Sequence, residues 1–409
     1  MSRFNTQTSH PIIPNSQEYM FEQQYISIHS EDRNILKYPN SSEFEIELPQ
    51  DYLNVQGFRL VSGSFPANMD MFSPKKKNVT MTFQITAPYN PTEISPPDAI
   101  QTAIYAMLRD RKDNFVVLIE TGTYSPKQME TEIANKMNAA VSAYLLGPDT
   151  TFTPQEASDF RASGEYTEFV VAYNEVNRKL WIGNRSSEFK LTNTDTARYE
   201  EQAYLCLCDN NDISPDFKHW GLPGYLGFTR CDATSTKQSS ETQTRFYYGD
   251  VKPGDNGVWL TANASLPGAT AYFVTAPTQV NLRPPAYFYM EIKLLNSIDE
   301  TAPFNYSKFT QETNQTNGIV KSAFAKIPLM STDTENNYYE ELNVANYFKI
   351  YNPPVERIRK LSIKLRYHDG MLVDFGNNDY TFALELSIFR PQNNRAYSMR
   401  VPEAISNNF

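Results

Sequence analysis

Residues 357–389 read RIRKLSIKLRYHDGMLVDFGNNDYTFALELSIF, and the periodicity of this run decides the fold class. Leu361, Ile363, Leu365 and Tyr367 alternate with Lys360, Ser362, Lys364 and Arg366. Successive side chains of an extended chain point to opposite faces, so a period of two marks a strand with one buried and one wet face. Tyr380, Phe382, Leu384, Leu386 and Ile388 alternate in the same way with Thr381, Ala383, Glu385 and Ser387. Between the two runs lie His368-Asp369-Gly370 and Asp374-Phe375-Gly376-Asn377-Asn378-Asp379, rich in residues that tolerate positive φ, which predicts turns. The stretch is expected to form a β-ribbon near the C-terminus.

The opposite end of the chain mirrors it. Tyr25-Ile26-Ser27-Ile28 precedes a turn-prone Tyr38-Pro39-Asn40-Ser41-Ser42, and Glu43-Phe44-Glu45-Ile46-Glu47-Leu48 then alternates strictly. A β-sandwich that closes its first and last strands together buries the apolar faces of both ends. Glu43, Glu45 and Glu47 project from one side of their strand, and Lys360, Lys364 and Arg366 from the polar side of theirs. Neighbouring strands of opposite sign would relieve the like-charge repulsion. Two separate solvated faces, or an acidic row that meets a basic patch on another protein, are the alternatives.

Three stretches resemble a known family: YISIHSEDRNILKYPNSSEFEIELP (25–49), GFRLVSGSFPANMDMF (57–72) and LSIKLRYHDGMLVDFGNNDYTFALEL (361–386). They are similar to the minor capsid proteins of large icosahedral DNA viruses, the chloroviruses and their giant-virus relatives. Softer echoes occur at GTYSPKQMETEIANKMN (122–138), FVVAYNEVNRKLWIG (169–183), GYLGF (224–228), YFYMEIKLLN (287–296) and FAKIPL (324–329). The resemblance implies a structural, non-enzymatic protein of the virion capsid shell, made in the host cytoplasm. It would cement or organise major capsid capsomers. Its partners would be the major capsid protein and other minor capsid proteins, with contact to an inner viral membrane as an option. A pentameric jelly-roll protein at the fivefold vertex (a penton) is the alternative within the same class. A virion-associated β-sandwich that binds or cleaves glycans is the competing class.

Composition agrees with a mainly β chain. Aromatics make up 13% of the 409 residues, and 26 prolines outnumber 16 glycines, which favours strands linked by ordered loops over a helical bundle. The net charge is −10. Nucleic-acid binding leaves a basic footprint, and Lys75-Lys76-Lys77, at an expected hairpin tip, is the only basic run, so no nucleic-acid partner is expected. No apolar run reaches the ~20 residues needed to span a bilayer, and the first residues, MSRFNTQTSHPIIPNS, contain no hydrophobic signal core. Six N-x-S/T sequons, at Asn40, Asn78, Asn184, Asn263, Asn305 and Asn314, are about what chance gives in so Asn-, Ser- and Thr-rich a chain.

In order along the chain, residues 1–22 are expected to be a polar arm, 23–390 an elaborated jelly-roll-like antiparallel β-sandwich, and 391–409 a polar tail. Strands are expected at about 23–30, 43–49 and 57–65. Four prolines within residues 88–98 mark an ordered loop, after which a short helix is expected over 97–109. Ser125 as cap, Pro126 in the first turn and a stripe of Met129, Ile133, Met137, Val141 and Tyr144 predict one helix packed on the sheet. Residues 149–165 read as loop, 169–182 as a hairpin with Glu188–Leu191 beside it, and about 195–285 as an insertion or surface lobe.

Motifs that carry chemistry are scarce. Asp374-Phe375-Gly376 matches a kinase metal-binding triplet without the accompanying glycine-rich loop or catalytic loop, so it reads as a turn. Asp369, Asp374, Asn377 and Asp379 lack EF-hand spacing. Cys206, Cys208, His219 and Cys231 offer zinc-type ligands, but a single residue separates the first two where zinc sites use C-x₂₋₄-C, and small buried hydrophobes are the other reading. No catalytic residue, cofactor or metal is expected.

Overall fold

Alternation tells which face of a strand is buried, and a computed structural model shows which strands become neighbours. It describes residues 19–66, 69–91, 98–204, 220–238, 260–301, 320–329, 338–339 and 348–391. Along the chain run β1 (Tyr19–His29), β2 (Glu43–Pro66), β3 (Thr80–Ala87), α1 (Ala99–Asp110), β4 (Phe115–Leu118), α2 (Pro126–Leu145) and α3 (Pro154–Ala162). Then come β5 (Phe169–Asn174), β6 (Lys179–Asn184), β7 (Glu188–Leu191), α4 (Asn193–Tyr204), α5 (Leu222–Tyr225), β8 (Ala233–Thr234), β9 (Thr236–Lys237) and β10 (Tyr272–Thr275). The chain continues with β11 (Tyr287–Ile292), β12 (Ile298–Thr301), β13 (Val320–Ala323), β14 (Ala325–Pro328), β15 (Tyr338–Tyr339), β16 (Phe348–Arg366) and β17 (Thr381–Pro391). The architecture is mainly β and antiparallel, as expected.

The residues divide into two compact units, one formed by Met1–Met69, Pro285–Phe304 and Asn317–Phe409, the other by Asp70–Pro284 and Asn305–Thr316. The lobe expected over about 195–285 is thus the later part of a unit that begins at Asp70. The arm and tail, residues 1–18 and 392–409, lie outside the described residues, and β1 takes in residues 19–22.

In the first unit the first and last strands enter one sheet, of order β1-β17-β2-β16-β11-β14. β1 pairs with β17 along its whole length, Tyr19 opposite Pro391 and His29 opposite Thr381. The β-ribbon expected over 357–389 is corrected here: β16 and β17 flank β2 from opposite sides and do not pair with each other. The connection Tyr367–Tyr380 is far longer than a hairpin loop of roughly two to five residues, so it carries the chain past β2.

β2 joins into one strand the two segments expected at 43–49 and 57–65. Phe44 and Phe65 would stand about 70 Å apart if that strand were straight, at about 3.3 Å per residue. Both pack on the ring of Tyr380, with centroids 6.5 and 5.2 Å away, so the strand doubles back. The bend is a bulge: Leu48-Pro49-Gln50-Asp51 lies between the pairs Glu47–Lys360 and Tyr52–Ile358. Pro49 has no N–H to give the ladder, so pairing loses least there. β16 has its own irregularity between Ile350 and Val355, across Asn352-Pro353-Pro354. One sheet thereby closes on its own core, with Phe58 against Phe324 at 6.1 Å and Phe65 against Phe288 at 5.2 Å. That core holds Leu361, Ile363, Leu365, Tyr380, Phe382, Leu384, Leu386 and Ile388, the apolar sets of the opening motif.

The second unit has two four-stranded antiparallel sheets, β4-β3-β7-β8 and β5-β6-β10-β9. Phe169 of β5 meets Phe83 of β3 at 5.0 Å and Phe189 of β7 at 5.3 Å, which joins the two sheets in one core. α2 forms as its sequence predicts: Ser125 and Gln128 make a reciprocal capping box, and Met129, Ile133, Met137 and Val141 are fully buried. α1 is capped by Asp98. Glu188–Leu191, expected beside the 169–182 hairpin, pairs with β3 and β8 instead. Asn184 turns the chain away, its Oδ1 accepting from the N–H groups of Ser186 and Ser187 at 3.0 and 2.8 Å. α3 occupies part of the loop expected over 149–165, closed by a Thr153–Glu156 capping box but burying only Phe160.

Candidate functional site: the outer faces of the sandwich

The acidic and basic rows are neighbours. In register, Glu43 lies opposite Lys364, Glu45 opposite Ser362 and Glu47 opposite Lys360. Lys360 Nζ reaches diagonally to Glu45 at 3.4 Å, Lys37 approaches the same carboxylate at 3.9 Å, and the Tyr38 hydroxyl donates to it at 3.1 Å. The hydrogen bond from Tyr38, then Lys360 and Lys37, hold the Glu45 carboxyl below the ordinary glutamate range. Of the three acidic side chains, Glu45 carries the ion pairs among the described residues, while Glu43 and Glu47 face Lys364 and Lys360 in register alone.

Arg366 departs from that pattern. Expected on the wet face, it is 2% exposed, ion-paired to Glu291 and Glu300, with its guanidinium 5.2 Å from the Tyr289 ring centre. His368 Nδ1 lies 3.1 Å from the other Glu300 oxygen. Burial opposes the Arg366 charge, but the hydrogen bonds to Glu291 and Glu300 outweigh it and raise its pKa. Burial, then the Glu300 charge, pushes the Tyr289 phenol up to about 12. β12 brings Glu300 to the end of β16, far away in the sequence, so no local signal announces the cluster.

The other layer shows a different outer face. Its register sets Tyr25 beside Glu385, Glu385 beside Arg59 and Arg59 beside Phe348. Arg59 and Glu385 form an ion pair at 2.5 Å. In the next row Gly57 lies between Ser387 and Ile350. A Cβ on Gly57 would meet the Phe348 ring at 2.6 Å, so glycine lets that ring lie flat on the sheet. Tyr25, Phe348 and Ile350 remain exposed around the neutralised pair. Large aromatic and apolar side chains around a charge-neutralised pair are the composition of a protein–protein contact more than of a solvated sheet.

The residues that might have carried chemistry do structural work. Asp374 accepts from Gly376 N–H in the turn and Phe375 is buried in the core. Asp379 accepts from Ser30 Oγ at 2.8 Å and pairs with Arg33 at 3.3 Å. Lys75 and Lys76 sit in a helical turn, and Lys76 Nζ donates to the Asp70 carbonyl. Cys206, Cys208 and His219 lie outside the described residues, and Cys231 is an exposed free thiol. Among the described residues no group of three or more His, Cys, Asp or Glu side chains converges for a metal. Two sequons are internal: Asn78 bonds Met71 and Ser73, and Asn184 shapes the β6–β7 turn, both fully buried. Among the described residues no helix is long and apolar enough to cross a membrane.

Two buried carboxyls in the second unit carry no signal in the sequence. Glu200 of α4 accepts from Thr80 N–H at 3.2 Å, and burial pushes its pKa up to about 8. Glu168, just before β5, accepts from Asn263 Nδ2 at 2.6 Å, and burial raises it as well.

Part of the sequence is similar to a capsid protein. The chain is 30% identical over 106 residues to the Penton capsid protein P1 of Paramecium bursaria Chlorella virus 1; the match takes in 25% of this chain and 55% of that protein. The chain thus spans about half the length of the curated relative it matches. Two solved structures align along most of the chain. The mavirus penton protein covers 91% of this chain and 100% of its own, at 12% identity and a TM-score of 0.32. A chain of the Sputnik virophage covers 91% and 99%, at 11% identity and a TM-score of 0.36. Those two likenesses are too loose to bear on fold or function. No protein-family model matches the sequence.

Proposed function

We propose that this chain is a structural protein of an icosahedral virus capsid, placed at the shell's vertex. The observation that carries the reading is the 30% identity over 106 residues to a protein named as a penton capsid protein. The outer face around Tyr25, Phe348 and Ile350 supports it, because that face offers apolar area for a neighbouring subunit. Adhesion is the mechanism: aromatic side chains bury much area at little cost in rotamer entropy, and a neutralised Arg59–Glu385 pair can be covered without stranding a charge. The partners are further copies of the chain around the fivefold axis and the major capsid protein that surrounds the vertex. The cementing role of a minor capsid protein has the same shell location and differs in symmetry.

Native mass spectrometry of the purified chain tests the vertex placement. A pentamer, lost on Phe348→Glu or Ile350→Glu without loss of the folded monomer, is the expected result. A stable monomer or dimer at tens of micromolar overturns the vertex placement and leaves the cementing role.

A further inference from the structure

β1 is a free edge of the sheet in the first unit: among the described residues it pairs with β17 alone. Ser30 N–H donates to the Tyr380 carbonyl at 2.9 Å, and the pairing from His29–Thr381 to Tyr19–Pro391 runs without a bulge. In an antiparallel pair, residues whose N–H and C=O meet the partner strand alternate with residues whose groups point away. Ile28, Ile26 and Gln24 therefore bond β17, and the main-chain groups of Gln23, Tyr25 and Ser27 point outward. Among the described residues no hydrogen bond reaches those outward groups, and all three residues are exposed. Edge strands are commonly blunted by shortness, bulges, lysine or proline. β1 has 11 residues, no bulge, and no Lys, Arg or Pro. Such an edge is a template for one more strand.

The chain itself supplies a strand of the right pattern. β17 ends at Pro391, opposite Tyr19, where the free edge begins. Residues 392–409 are polar on the whole, but 396–401 read AYSMRV, with Tyr397, Met399 and Val401 alternating with Ala396, Ser398 and Arg400. That is the period of a strand with one apolar face. Such a face would continue the side of β1 that carries Ile26 and Ile28, both buried. The N-terminal arm fits less well, because Pro11 and Pro14 withhold ladder N–H groups. Direction separates a chain's own tail from a neighbour's. β17 is antiparallel to β1, so a tail folding back from Pro391 along its own edge would run parallel to β1. A neighbour's tail is free to pair antiparallel, the more stable arrangement. Handing a tail to the next copy is a head-to-tail contact, the kind that closes a ring.

We infer that the free edge of β1 receives residues 396–401 of a second copy as an added antiparallel strand. The second copy as donor rests on the vertex reading; the open edge does not. Hydrogen–deuterium exchange of the full chain at tens of micromolar, read by mass spectrometry at single-residue resolution, is the test. The Gln23, Tyr25 and Ser27 amides should exchange about tenfold or more slower than in the double variant Ser398→Pro, Met399→Pro. Two consecutive prolines remove a ladder N–H whichever way the added strand faces. Ile26 and Ile28, held by β17, should exchange alike in both and report that the fold is intact. Mixing the isotope-labelled variant with unlabelled natural chain should restore protection to the labelled edge, because a neighbour then supplies the strand. Fast exchange at Gln23, Tyr25 and Ser27 in the natural chain overturns the added strand, as does protection that survives the two prolines. Protection that the prolines abolish and mixing does not restore assigns the strand to the chain's own tail and overturns the exchange between copies. A pentamer with a fast-exchanging edge leaves the vertex reading standing without the added strand. A monomer by native mass spectrometry removes the vertex reading and the second copy as donor together.

Discussion

Replacing Arg366 with methionine isolates the contribution of the buried ionic cluster. Arg366 and Glu300 have side chains 2% and 6% exposed, whereas Glu291 keeps 26% exposure and can turn toward water. Methionine fills much of the arginine stem's space, so the dominant loss is the countercharge. Removing one partner of a buried pair costs about 3–5 kcal/mol, because the remaining charge is stranded. At about 2–4 °C per kcal/mol for a unit of this size, the melting temperature should fall by roughly 10 °C. Urea unfolding monitored by tyrosine fluorescence would read the loss as a lower midpoint at an unchanged slope. Adding Glu300→Gln to Arg366→Met should recover a large part of it, since the stranded carboxylate is then gone. A loss below about 1 kcal/mol, or strictly additive single effects, would contradict a stranded Glu300 charge. It would mean that the cluster is open to water and behaves as a surface pair.

Three further outcomes follow from the same geometry. Glu200 is raised from 4.5 to about 8 by burial, so the folded chain holds a proton that the unfolded chain has lost between those values; its contribution is full below about pH 4.5, falls as pH rises to about 8, and amounts to the order of a few kcal/mol. Glu200→Gln should therefore flatten the urea midpoint against pH and stabilise the protein at pH 8; an unchanged slope contradicts this. Glu45→Lys should lower the melting temperature and Lys360→Glu should partly restore it, with both effects shrinking at 1 M salt; additive, salt-insensitive effects would sink the pairing. Gly227 has φ +91°, and a Cβ there would meet the Thr278 carbonyl oxygen at 2.4 Å, so Gly227→Ala should cost about 2 kcal/mol or more by the same urea assay, and a neutral result would rule out this backbone conformation.

The strands were legible because each carries its own evidence. Leu361, Ile363 and Leu365 announce a buried face whatever lies beside them, and α2 announces its start through Ser125 and Pro126. Strand order was not legible, because alternation fixes faces and leaves neighbours open: β16 and β17 read as a ribbon, yet β2 lies between them. The Glu43–Glu47 row came closest to naming a neighbour, since its charge asked for a basic strand. α3 and α4 were missed for want of an apolar stripe, α3 burying Phe160 alone. Arg366, Glu168 and Glu200 read as surface residues because their burial depends on segments distant in sequence. The outer face escaped for a related reason: Tyr25, Phe348 and Ile350 become one surface only once β1, β17, β2 and β16 are in order.

The measurement that bears most directly on the capsid reading is a cryo-electron microscopy map of intact particles containing the chain, refined locally at the fivefold axes. Five copies are expected around each axis, with Tyr25, Phe348 and Ile350 covered by a neighbouring subunit or by the adjacent major capsid protein. Density for the chain confined to the facets, or absent from the shell, would contradict it.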